Sequence, residues 1–147
     1  MTDSLNAVTH AQNIRYDKAA EALYIIDQSL LPNEEREIRL QTPEEMVEAI
    51  RKLRVRGAPA IGICAAYCLY VLARSIQELD PTVFHTRLRA YAAQLSASRP
   101  TAVNLSWALG EMERTAAAHV NGPRPALLEA LYEKAAAIHQ DDIAKCL

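Results

Sequence analysis

Arg54, Arg56, Gly57 and Pro59 fall close together in the run Arg54-Val55-Arg56-Gly57-Ala58-Pro59-Ala60-Ile61-Gly62. Residue types in that order suit the holding of an anion. Proline is favoured at the first helical position, where its missing N–H would be unpaired in any case, so Pro59 predicts the start of a helix running through Ile63, Ala66, Leu69 and Leu72. The N–H groups of the first turn then face Gly57 and Ala58. The helix dipole favours negative charge there, glycine lets a ligand approach the backbone, and Arg56 adds a planar, two-pronged donor suited to phosphate or carboxylate. A second arrangement of this kind occurs at Ser98-Arg99-Pro100-Thr101, where Pro100 predicts the start of a helix carrying Val103, Leu105, Trp107, Leu109 and Met112. Two arginine-bearing helix starts can converge on one ligand. On residue types alone the plainer reading stays open, a solvated arginine beside an ordinary turn, because no nucleotide-binding glycine motif is present. Asn104, one turn inside the second helix, is open in the same way between packing the local turn and touching a ligand.

The other polar candidates carry less chemistry. His10, His85, His119 and His139 are scattered without metal spacing or an adjacent nucleophile and read as surface residues. Asp141 and Asp142 are neighbours, about 100° apart around a helix, so they are not expected to share a site. The chain has three cysteines, whose spacing matches neither a disulfide framework nor a zinc site. Cys64 and Cys68, at i and i+4 on one face of the apolar helix, read as small core residues.

These residues need a scaffold, and its elements are legible in outline. Met1 to Gln12 lack a pattern and read as a flexible amino terminus. Extended segments follow at about Asn13 to Tyr16, Ala22 to Asp27 and Glu35 to Leu40, the second alternating Leu23, Ile25 and Asp27 against Tyr24 and Ile26. They predict a small antiparallel meander, with Leu31-Pro32-Asn33 punctuating the last connection. Thr42-Pro43-Glu44-Glu45 reads as a capped helix start with Met46, Val47, Ile50 and Leu53 on its buried stripe, and leaves Arg51, Lys52 and Arg54 to solvent. Asp80-Pro81 restarts the helical pattern over Phe84, Leu88, Tyr91 and Leu95. Asn121-Gly122-Pro123 ends the following helix, and a fifth uses Leu128, Leu131, Ala135 and Ile138. The expectation is an α+β, mostly helical domain at 13–147, with a meander over 13–41 and about five helices over 42–147.

Composition agrees with one compact unit. A chain of 147 residues can bury about two-thirds of its unfolded surface. Half of its residues are hydrophobic and 5% aromatic, which favours an interior of Ala- and Leu-rich helices over an aromatic-rich sheet. A net charge of −2 supplies no general attraction for nucleic acid or an anionic membrane. The uncharged run from Gly57 to Ala73 is shorter than the roughly 20 residues a bilayer needs and is better read as a buried central helix. The absence of a signal-peptide pattern makes the cytoplasm the default location.

Arg56-Gly57-Ala58-Pro59-Ala60-Ile61-Gly62, followed by Ser98-Arg99-Pro100-Thr101-Ala102-Val103-Asn104-Leu105 and Trp107-Ala108-Leu109, resembles the amino-terminal part of the methylthioribose-1-phosphate isomerase family. Ile26-Asp27-Gln28, Leu31-Pro32 and Ala137-Ile138-His139-Gln140-Asp141-Asp142 extend the likeness over nearly the whole chain. The wider superfamily includes isomerases of other pentose phosphates and the regulatory subunits of a translation initiation exchange factor. The resemblance implies an aldose–ketose isomerase of methionine salvage, converting 5-methylthioribose 1-phosphate to 5-methylthioribulose 1-phosphate. It implies Arg56, Gly57 and Ala58 as one substrate-contact segment and Arg99 as the other. The catalytic cysteine and aspartate of the family belong to a carboxy-terminal domain beyond this sequence, and Cys146 lacks the asparagine that follows the catalytic thiol. The chain is thus expected to be inactive alone, to need that missing domain as partner, and to form a homodimer when complete. No nicotinamide, metal or nucleotide cofactor is implied. The alternatives are a noncatalytic regulatory or scaffold domain of the initiation-factor type and an isomerase for another pentose phosphate.

Overall fold

The computed structural model describes residues 13–27, 30, 33–52 and 57–146, with side chains as far as Asp142. The expected flexible amino terminus, Leu31-Pro32 and the segment from Leu53 to Arg56 lie outside the described residues. Three strands, β1 (Ile14–Asp17), β2 (Ala22–Ile26) and β3 (Glu37–Leu40), pair antiparallel in the order β1-β2-β3. Ile14 faces Ile25 and Leu23 faces Leu40, which puts these four apolar side chains on one face, where all are buried. The alternation along β2 carries on into Asp27, which is also buried. On the solvent side Arg15 spans β2 to grip Glu37 with two hydrogen bonds, of 2.9 and 2.8 Å. The Arg15 guanidinium holds the Glu37 carboxyl below its usual range.

Five helices follow: α1 (Pro43–Arg51), α2 (Ala58–Ser75), α3 (Pro81–Ala97), α4 (Val103–His119) and α5 (Arg124–Cys146). The first begins as its sequence dictates. The Thr42 hydroxyl accepts from the Glu45 N–H at 3.2 Å, and the Glu45 carboxylate accepts from the Thr42 and Gln41 N–H groups at 3.0 Å each. The start of α3 is held by Asp80, whose carboxylate accepts from Thr82 and Val83. Phe84, Leu88 and Leu95 of α3 are buried as the periodicity predicts, with Tyr91 beside them.

Helix α2 is the axis of the domain. It packs against α1, α3, α4 and α5 and against β1 and β2, and it is buried almost continuously from Ala60 to Ala73. Its length and apolar composition would suit a membrane span, but those side chains are spent on the protein core. Cys64 and Cys68 lie fully buried in it with their sulfurs 3.8 Å apart. Burial pushes the Cys68 thiol well above its ordinary pKa, so both behave as small apolar residues.

Two helical expectations shift. Helix α4 begins at Val103, not near Pro100. The Ala102 N–H is bonded to the Arg99 carbonyl at 3.0 Å, closing a four-residue turn with Pro100 at its second position. Proline suits that place as well as it suits a helix start. The buried stripe of α5 runs Leu127, Leu131, Ala135 and His139, so it is rotated from the expected Leu128, Leu131, Ala135 and Ile138.

Candidate functional site

The starts of α2 and α4 differ from those of α1 and α3. Gly57, the residue before α2, has φ 91° and ψ 132°, and no side chain caps the helix. That backbone conformation is open to glycine and strained for other residues. Pro59 brings no N–H, and the Ile61 N–H is used by the Gly57 carbonyl at 2.9 Å. The N–H of Ala58 lies at the positive end of a long helix, where Gly57 and Ala58 are exposed to solvent and Ala60 is buried. Ala102, the residue before α4, also supplies no side-chain cap.

These two starts touch. A Cβ placed on Gly62 would lie 2.9 Å from the Asn104 carbonyl oxygen, so a side chain as small as alanine's would push the first turns of α2 and α4 apart. Beside that contact is a cavity of about 380 Å³, within the range of about 300–1,000 Å³ for small-molecule clefts. Pro59, Gly62 and Ile63 of α2 line it, with Asn104, Trp107 and Ala108 of α4 and Ile138, Asp141 and Asp142 of α5. Positive helix ends lie on one side and two carboxylates on the other. An anion is favoured at the helix ends and repelled by the aspartates, whose oxygens are suited to accepting hydrogen bonds from hydroxyl groups.

Asp141 and Asp142 therefore share a site, against expectation. Both positions line the same cavity despite their angular separation. His139, expected at the surface, is only 8% exposed, and its Nδ1 lies 3.0 Å from the Tyr67 hydroxyl. Around this pair Tyr16 stacks on Tyr67 and meets Tyr70 edge-on at 5.2 Å, while Tyr70 and Tyr132 lie 5.6 Å apart. Burial raises the hydroxyl pKa values of Tyr67 and Tyr70, keeping both as neutral hydrogen-bonding groups. The cluster ties α5 to α2 one turn before the aspartates and so positions them.

Of the four residues assigned to substrate contact, Gly57 and Ala58 sit at the open start of α2, and Arg56 lies outside the described residues. Arg99 is half-buried and turned toward α1. Its Nε donates to the Ile50 carbonyl at 3.0 Å and its Nη2 to the Arg51 carbonyl at 2.9 Å. Those carbonyls belong to the last turn of α1, where helix geometry leaves backbone acceptors in excess of donors. Arg99 thus anchors the point from which the chain departs toward Arg56 and Gly57.

Trp107 lines the cavity, a place that its position in the helix pattern does not announce. Leu105, Ala108, Leu109, Met112 and Ala116 form the buried stripe of α4; Trp107 lies two residues, about 200°, from Leu105. Val103 and Trp107, one turn apart, are 78% and 53% exposed.

A family described as the initiation factor 2 subunit family matches residues 54–146. A methylthioribose-1-phosphate isomerase of Symbiobacterium thermophilum is 50% identical over 88% of this chain and 36% of its own length. A 5-deoxyribose 1-phosphate isomerase of Moorella thermoacetica is 48% identical over 83% of this chain and 35% of its own. Among solved structures, a 5-methylthioribose 1-phosphate isomerase from Pyrococcus horikoshii matches with a TM-score of 0.80 at 31% identity, over 88% of this chain and 36% of that one. The delta subunit of translation initiation factor eIF-2B from A. fulgidus matches with a TM-score of 0.71 at 32% identity over the same shares. The chain spans little more than a third of the length of these curated relatives.

Proposed function

The chain belongs to the initiation factor 2 subunit family, and from that premise we propose that it is the amino-terminal, substrate-holding part of an aldose–ketose sugar-phosphate isomerase. The substrate proposed is 5-methylthioribose 1-phosphate, matching the name of a relative half identical in sequence. The observation that carries this reading is the meeting of two helix starts without side-chain caps, at Gly62 and Asn104, beside a cavity of small-molecule size. The backbone at Gly57 and Ala58 receives the phosphate, the neighbouring Arg56 supplies charge, and Arg99 holds the segment in place from the end of α1. Asn104, Asp141 and Asp142 face the sugar hydroxyls.

Isomerisation breaks the C1–O4 ring bond, moves a hydrogen from C2 to C1 and the 2-hydroxyl proton to O4, and so leaves an open-chain ketone at C2 with no net oxidation. The described residues bind and orient, because phosphate contacts position a substrate without moving its protons. The proton transfers are assigned to a further, carboxy-terminal part of the protein, which also makes the complete protein a homodimer working in the cytoplasm. The net charge of −2 agrees with a small anion held locally and with no nucleic acid or membrane partner.

Backbone NMR of the 147-residue chain, titrated with 5-methylthioribose 1-phosphate and with inorganic phosphate, tests this. Shifts centred on Gly57 and Ala58 are expected with both ligands and larger with the sugar. The likeness to the eIF-2B subunit favours a second reading, a regulatory domain that binds proteins through its helical faces. That reading predicts unmoved amides up to millimolar sugar phosphate.

A further inference from the structure

Trp107 is the single tryptophan of the chain, and it stands 53% exposed at the cavity wall. It is not needed for the core, whose α4 contribution comes from the Leu105 stripe. It shares the wall with Ile63 of α2 and with Ile138 of α5, which lies on the helix face of the two aspartates. The carboxylates at the end of α5 repel a phosphate, and the open start of α2 attracts one. A sugar phosphate held with its phosphorylated end at the start of α2 therefore leaves its opposite end for the cavity wall.

The relatives' substrates differ at that opposite end alone. Methylthioribose 1-phosphate carries a thioether on C5, and 5-deoxyribose 1-phosphate a bare methyl. Both lack the 5-hydroxyl of ribose 1-phosphate. A thioether makes favourable contacts with an aromatic ring, and a methyl gains from leaving water. A hydroxyl against the same ring loses its water without a partner in return. Resting on the sugar-phosphate reading above, we infer that Trp107, with Ile63, is the specificity wall that selects an apolar 5-substituent over a hydroxyl.

The lone tryptophan supplies its own reporter. The 147-residue chain is titrated with 5-methylthioribose 1-phosphate, 5-deoxyribose 1-phosphate, ribose 1-phosphate and inorganic phosphate, following Trp107 fluorescence and the Gly57 amide together. The first two ligands are expected to shift the emission to the blue and to bind about tenfold more tightly than ribose 1-phosphate, with the thioether the tightest. By NMR, Trp107→Ala should bring the three sugars to nearly equal affinity and leave the Gly57 response to inorganic phosphate unchanged. Trp107→Phe should restore most of the preference. Equal affinities and an unmoved emission, with Gly57 still responding, would overturn the selection and leave the phosphate site standing. Silence of both Gly57 and Trp107 toward all four ligands would overturn the phosphate site and the selection with it.

Discussion

The starts of α1 and α3 are closed by their own side chains, whereas those of α2 and α4 are not. At α1 a threonine and a glutamate satisfy backbone donors reciprocally, and at α3 an aspartate takes two. At α2 and α4 the residues in the capping position are glycine and alanine, with no acidic residue in either first turn. The closed pair serves stability. The second pair meets across Gly62 and Asn104 at the edge of a cavity, where an added acidic cap would occupy the donors and repel an anion. A helix start without a side-chain cap is thus informative when a second one packs against it over a cleft.

The comparison can be broken most severely at the contact itself. Gly62→Ala places a methyl against a backbone oxygen and is expected to cost about 1–3 kcal/mol in chemical denaturation while weakening phosphate binding. An unchanged midpoint would show that the two starts are not held together there. Arg99→Ala removes two charge-assisted bonds to the end of α1 and should cost about 1.5–3 kcal/mol. Arg99→Lys should recover only part of that stability, because an ammonium cannot reproduce the planar fork. Full recovery by lysine would argue against the anchoring geometry.

Ala102→Asp sharpens the contrast, because its two effects have opposite sign. Ala102 has the extended backbone of a cap residue, φ −78° and ψ 106°, so the aspartate should stabilise the fold by about 0.5–1 kcal/mol. It should also weaken binding of inorganic phosphate, read at the Gly57 amide. Stabilisation without loss of binding would separate the start of α4 from the anion site.

The smallest effect belongs to the closed pair. Hydrogen bonds from the Gln41 and Thr42 N–H groups keep the Glu45 carboxyl below its usual range. Its folded pKa is thus depressed, so its contribution to stability is complete above the ordinary glutamate range and is lost as pH falls through the folded value. Glu45→Gln should reduce that acid-side loss and leave phosphate binding near neutral pH untouched. An identical acid limb in thermal melts of both proteins would count against the capping role.

How far the sequence could be read depended on the range of the interactions involved. The box at Thr42 and Glu45, the Asp80 cap and the alternation of β2 are settled by residues within four positions of one another, and all were legible. The start of α4 was misplaced because Pro100 fits both a helix start and a turn, and the turn prevailed once the Ala102 N–H bonded to Arg99. His139 read as surface because nothing nearby in sequence reveals Tyr67, its partner across the α2–α5 interface. The place of Trp107 at the cavity wall was not legible, because it depends on how α2 and α5 pack against its helix. That a glycine stands before an open helix start at Gly57 was legible from residue types, but the bonds from Arg99 to the end of α1 were not.

Sequence alone thus determined the element types and the Thr42 cap, because backbone preferences and side-chain periodicity are local. Tertiary structure alone decided that Gly62 must admit the Asn104 backbone, that Asp141 and Asp142 share one cleft, and that Trp107 faces it. Those facts follow from how α2, α4 and α5 pack, and close packing is a property of three-dimensional neighbours that no single segment encodes.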